Sequence, residues 1–288
     1  MDTLKLLFLT VLFRPYVFVF LAIYLYAATR TTGLRKAVLF TLIAWAVAYI
    51  SEFSSVRIGF PFGLYYYILS TKNKELWIFG VPFMDSLSFT FLSYSSWRTA
   101  RVFLPREEKF SWKTILLGAF LMTLLDVVID PLALRGDKWF LGKIYYYPYP
   151  GPYFGVTIEN FAGWFFVGVL TMRIWKTVDR AVDARRGGGE LSNKINELWP
   201  PGKAYLLGPA LYFIVLVFNL FMTFWIGEIT LGITGVFLFL PVTALFLAKV
   251  RSLSKITLET GVPAPGFSPE NPLKQGLSGK KKGLQPKL

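Results

Sequence analysis

The chain is expected to fold as an all-α integral membrane protein of about seven transmembrane helices, and three observations carry that expectation. Hydrophobic residues make up 54% of the 288 residues, and the mean hydropathy is +0.49, above the apolar share of soluble domains. Several apolar runs reach the ~20 residues that a helix needs to cross a hydrocarbon core. Lys and Arg gather between those runs and in the C-terminal tail, as loop charge in a membrane protein does.

The net charge of +14 therefore reads as loop charge, and no nucleic-acid partner is expected. Cysteine and histidine are absent. Disulfides, thiol nucleophiles, iron–sulfur clusters, His-ligated haem and Cys/His zinc sites are thereby excluded. Acid–base chemistry is left to carboxylates, Tyr, Lys and water.

The first span is expected from about Leu6 to Ala28. It is too long for a cleavable signal, no small-residue cleavage site follows, and Pro15 interrupts it early. The second runs from about Ala37 to Phe53 and carries Glu52 near its far end. An aromatic, turn-rich loop containing Tyr65 follows. The third, about Ile78 to Trp97, holds Asp85 some two turns inside. The fourth, about Thr114 to Asp130, should stop at Pro131. After a loop rich in Tyr, Pro and Gly, the fifth (about Thr157 to Trp175) opens on Glu159 and Asn160. The sixth and seventh, about Ala204 to Ile226 and Ile229 to Lys249, meet at a short turn where Glu228 is expected to be solvated. Residues 1–250 thus form one polytopic domain, and residues 251–288 form a basic tail whose composition fits disorder. The GGGE stretch at residues 187–190 has no strand or Lys-Ser/Thr beside it and is not a phosphate loop.

Seven spans put 23 of the 31 basic residues on one side of the membrane. The positive-inside bias then sets the C-terminus in the cytoplasm and the N-terminus outside. With that topology Glu52, Asp85, Asp126, Asp130, Glu159 and Asn160 all fall within about 10 Å of one membrane face, counting 1.5 Å per residue. Ionisable groups in apolar spans are disfavoured by about 2.5–3.5 kcal/mol each on insertion scales and mark function. One shared layer points to one site.

Asp126 and Asp130, four apart, share a helix face. The blander account leaves Asp130 in headgroup water beside Pro131; Asp126 lies a turn deeper. A magnesium–pyrophosphate site would need the N-D-x-x-D-x-x-x-D pattern, and DVVID lacks it. Glu159 and Asn160 point about 100° apart, and Glu159 also suits a helix N-terminal dipole. Trp139, Tyr145, Tyr146, Tyr147, Tyr149, Tyr153 and Trp164 fit an interfacial aromatic belt, or π faces around a cation in a dry pocket.

The blocks SEFSSVRIGFPFGLYYY, GVPFMDSLSF, DVVIDPLALRGDKWF and the Tyr153–Trp164 stretch with NFAGW together resemble the membrane carotenoid-biosynthesis family of carotenoid 1,2-hydratases. The resemblance spans about residues 35 to 250 and leaves the basic tail uncovered. It implies a multi-pass enzyme of the cytoplasmic (inner) membrane, working on a carotenoid dissolved in the bilayer beside other membrane enzymes of that pathway. The implied reaction hydrates the terminal ψ-end double bond of an acyclic end group, with neither cofactor nor metal. Its needs match the residues: a carboxyl acid, a stabilised tertiary cation and a positioned water. Asp85 or Asp126 would donate the proton, Glu52, Asp130 or Glu159 would orient water, and Asn160 would hydrogen-bond it. Tyr65, Trp139, Tyr153 and Trp164 would contact substrate. Two rivals stay open. One is a lycopene-type cyclase, which would exclude water; the other is a non-catalytic seven-helix transporter or receptor.

Overall fold

A computed structural model describes residues 3–105, 107–184 and 204–260. The protein is mostly helical, at 77%. Its helices are α1 (Thr3–Phe13), α2 (Pro15–Thr32), α3 (Leu34–Ile58), α4 (Phe83–Phe103), α5 (Trp112–Ala133), α6 (Ile158–Ala184), α7 (Leu207–Trp225) and α8 (Ile229–Thr260). The expected domain boundary at residue 250 falls inside α8. The GGGE stretch and residues 261–288 lie outside the described residues.

Four of these helices are long and apolar enough to cross a membrane: α3, α5, α7 with the short turn before it, and α8. The bent pair α1–α2 makes a fifth. The protein is thus a multi-pass membrane protein, but two of the seven expected spans, α4 and α6, lack the hydropathy. For α6 the reason is its C-terminal half, which carries Arg173, Lys176, Asp179, Arg180 and Asp183. For α4 it is position in the bundle. Nearly every residue from Met84 to Val102 is buried, because α2, α3, α5, α7 and α8 all pack against it.

A helix wrapped by protein need not be greasy, provided its polar groups are matched. The hydroxyls of Ser88, Thr90, Ser93, Ser95 and Thr99 donate to carbonyls three or four residues back along α4, and Tyr94 meets Thr31 Oγ1 of α2 at 2.6 Å. Close backbone approach then packs the bundle through small residues. A Cβ on Gly118 of α5 would sit 3.3 Å from Trp97 Cα, and one on Gly163 of α6 would sit 2.6 Å from the Pro61 carbonyl oxygen.

The first expected span is two helices meeting at 91°. Arg14, non-helical at φ −123° and ψ 50°, sits at the corner, and Pro15 begins α2, where a missing N–H is harmless. Arg14 is 3% exposed. Its Nε and Nη2 donate to Glu75 at 3.1 and 3.0 Å, and Nη1 donates to the Leu141 carbonyl at 2.5 Å. The bend therefore carries the guanidinium into the protein, where two loops receive it.

Other boundaries move too. The third expected span begins later, because Trp77–Ile78 (β1) and Val81–Pro82 (β2) form a hairpin turning at Gly80, φ +87°. Asp85 consequently lies in the first turn of α4 rather than two turns inside. Helix α5 runs through Pro131 to Ala133; Pro131 cannot donate to the preceding turn, yet Leu134 N–H still reaches the Asp130 carbonyl at 2.9 Å. Glu228 is half-buried between Arg135 (3.0 Å) and Lys138 (2.5 Å). Those two cations hold its carboxyl below the usual carboxylate range, Lys138 most strongly.

Tyr66–Tyr67 pair antiparallel with Tyr145–Tyr146 (β3), Tyr67 opposite Tyr145. This short ladder joins the loop after α3 to the loop after α5 and closes one end of the bundle.

Removing one partner of a buried ion pair leaves an uncompensated charge at about 3–5 kcal/mol. Arg14→Met should lower the unfolding temperature in detergent strongly, and Arg14→Met/Glu75→Leu should recover much of the loss; an unshifted melt for the single variant would refute this. Gly163→Ala should destabilise by about 1–3 kcal/mol through overpacking, read in the same melt. An unchanged transition would show that α6 and the Pro61 loop separate freely.

Candidate active site

The end of the bundle closed by the tyrosine ladder encloses a cavity of about 150 Å³ whose lining is mainly apolar and aromatic. Four of the six expected catalytic residues line it: Glu52, Asp85, Asp130 and Asn160. They come from α3, α4, α5 and α6, so the site exists only once these helices pack. Glu52 lies a turn and a half inside α3, and Ser86 Oγ donates to its Oε2 in a short hydrogen bond. Asp85, the residue before Ser86, opens α4 on the same wall.

Asn160 is 3% exposed. Its side-chain amide donates to Asp126 Oδ2 at 2.8 Å and to Asp130 Oδ2 at 2.6 Å. The spacing of four that put both aspartates on one face of α5 lets one amide hold both. Asp126, fully buried, stands behind Asn160 and Asp130 and does not line the cavity; its Oδ1 has no hydrogen-bond partner among the described residues. Glu159 is exposed and is not among the lining residues. The turn of α6 that aims Asn160 inward turns its neighbour out.

Of the expected substrate contacts, Tyr65, Trp139 and Trp164 line the cavity. Trp164 stacks on Phe89 at 4.1 Å and 13°. Tyr153 packs outside it, against Phe154 and Phe161.

Four further lining residues escape sequence reasoning: Arg14, Tyr16, Tyr67 and Asn219. For Arg14 a signal was present, a charge between two apolar runs. For Asn219, a lone amide in the apolar run of α7, the signal was the same in kind. Tyr67 and Tyr16 looked like any interfacial aromatic.

Tyr65, Tyr67, Tyr145 and Tyr147 form a cap of mutually edge-on rings at 5.3–6.1 Å. Tyr65 and Tyr67 hydroxyls lie 3.3 Å apart, and Tyr145 donates to the Asp130 carbonyl at 3.4 Å. Burial above all, then the charge of Glu52 beside Tyr65 and Tyr67 and of Asp130 beside Tyr145 and Tyr147, pushes all four phenols up. They stay O–H donors facing the carboxyl groups. The arrangement can deliver a proton into an apolar space, and its ring faces can stabilise a cation formed there.

No curated protein and no solved structure matches the chain. The family described as carotenoid biosynthesis protein matches residues 11–241, which includes every residue of the cavity wall. The chain belongs to the carotenoid biosynthesis protein family.

Proposed function

We propose that the protein hydrates the terminal double bond of an acyclic carotenoid end group, the ψ end, without a redox or metal cofactor. The observation that carries this reading is the gathering of three carboxyl side chains, Glu52, Asp85 and Asp130, with the Asn160 amide on the walls of a small aromatic cavity. Family membership supports a role in carotenoid biosynthesis; the hydration step is our own reading.

The bond to be hydrated is trisubstituted. A carboxyl O–H transfers its proton to the less substituted carbon, C2, and the π pair forms the new C–H bond. The charge left on tertiary C1 is stabilised by nearby ring faces and a carboxylate. A water oxygen then bonds to C1, and its surplus proton passes to a second carboxylate; return of that proton to the donor carboxylate restores the starting protonation. The net change is the addition of one water.

Asp130, facing the cavity with Asp126 behind it, is the natural donor: two carboxyls held by one amide can share a proton between them. Asp85 and Glu52, from α4 and α3, would receive the proton from water. Asn160 fixes the acid pair, a positioning role. Tyr65, Trp139 and Trp164 would contact the substrate, Tyr65 and Trp164 at its end group.

In the membrane we propose seven crossing helices, α2 to α8, with α1 folded aside at Arg14, the N-terminus outside and the C-terminus in the cytoplasm. The membrane would be the inner, cytoplasmic one.

The test is pigment analysis by chromatography and mass spectrometry in a lycopene-producing host. Expression should yield a more polar carotenoid heavier by one water. Asp130→Asn and Asp126→Asn should each cut its formation about 10²–10⁴-fold, the usual worth of a general acid, whereas Glu159→Gln should match the wild type. A new ring at unchanged mass would mean cyclisation instead. Full activity in Asp130→Asn would sink the acid assignment.

A further inference from the structure

A space of about 150 Å³ takes the branched end of an isoprenoid, not the long conjugated chain behind it. That chain has to leave the cavity between helices, and the walls differ in how far their lining rings are exposed. Toward α3 and α6, Phe62, Phe89 and Trp164 line the cavity and are themselves buried at 2%, 6% and 6%. On this side the exposed rings, Phe60 and Phe166, meet each other at 5.4 Å and do not line the cavity.

Toward α2 and α7 the rings that line the cavity themselves reach the surface. Tyr16, Trp139 and Phe218 line the cavity and are at the same time only half-buried. Tyr16 stacks on Phe218 at 5.5 Å and 16°, and Trp139 lies 6.1 Å from Tyr16. Phe140, 53% exposed, closes on Tyr16 at 5.5 Å and on Trp139 at 4.9 Å. The rings come from three separate elements, α2, the loop after α5, and α7, so side-chain rotation can part them without breaking a helix.

We infer that the seam between α2 and α7, covered by Tyr16, Trp139, Phe140 and Phe218, is a lateral portal and subsite for the polyene chain. The end group sits among the carboxyls, and the conjugated chain runs out past these rings into the bilayer. The inference rests on the carotenoid substrate class proposed above, but not on whether the end group is hydrated or cyclised. The aromatics thus divide into two sets with different roles. Trp164 with Phe89 and the tyrosine cap face the reacting end, whereas the Tyr16 seam grips the chain.

The test compares Phe140→Ala and Phe218→Ala with Phe166→Ala, an exposed ring on α6 that does not line the cavity. With lycopene as the long probe, the first two should raise KM about tenfold with kcat little changed, as lost uniform binding does. With β-farnesene, a short probe bearing the same end, Phe140→Ala should behave as wild type. Phe166→Ala should alter neither probe. The same proteins, purified from lycopene-producing cells, should retain severalfold less pigment in the two seam variants and a normal amount in Phe166→Ala. That pigment pattern without turnover by the wild type would remove the proposed reaction and leave the portal standing. Equal losses in all three variants, no loss in any, or a wild type that holds no pigment would overturn the portal.

Discussion

One amide governs the site. Asn160 hands one N–H to Asp126 and the other to Asp130, and through them fastens α6 to α5 in the buried interior. Unmatched buried polar groups are penalised by a few kcal/mol each, so two carboxyls could not be stacked a turn apart in an apolar core without such a donor. The rest of the region follows. Gly163 lets α6 approach the Pro61 loop closely enough to seat Trp164 on the cavity wall, and the Tyr67–Tyr145 ladder closes the loops over Asp130.

The same rule explains the two ionic groups that first look misplaced. Arg14 is drawn out of an apolar run by a right-angled bend, and Glu75 together with the Leu141 carbonyl satisfies it. At the opposite end of the bundle Lys36, fully buried, reaches Asp179 at 3.1 Å and Asp183 at 2.6 Å, while Lys109 reaches Asp179 at 2.8 Å. Two separated ionic clusters thus pin the loops and helix ends, and the apolar length between them is left to packing.

How much of this was legible in the sequence varied with the physical cause. Acids in apolar runs announce themselves by their desolvation penalty, and a spacing of four names a shared helix face; that is why Asp126 and Asp130 were found as a pair. Adjacency in sequence says only that two side chains diverge, so Glu159 and Asn160 could not be ranked until α6 was set against α5. Hydropathy reads lipid contact and is silent about a helix surrounded by other helices, hence the failure of α4 as an apolar span although it lies at the centre. Arg14 was legible in principle. A charge inside an apolar run demands a buried partner.

The proposed water addition to a hydrocarbon would need a site apolar enough to admit the alkene and polar enough to protonate it. This fold meets both demands by placing the carboxyls within a turn or two of helix ends, not at mid-span. Asp85 opens α4, Asn160 opens α6 and Asp130 closes α5. Their backbones lie near loops where polar groups are readily satisfied, while their side chains point back into grease. The tyrosine cap completes the compromise, its rings lining the cavity and its hydroxyls near the carboxyl groups. Polarity at one wall and an aromatic seam at the other give the cavity a direction, and an asymmetric substrate with a reactive end and an inert chain is what such a direction can orient.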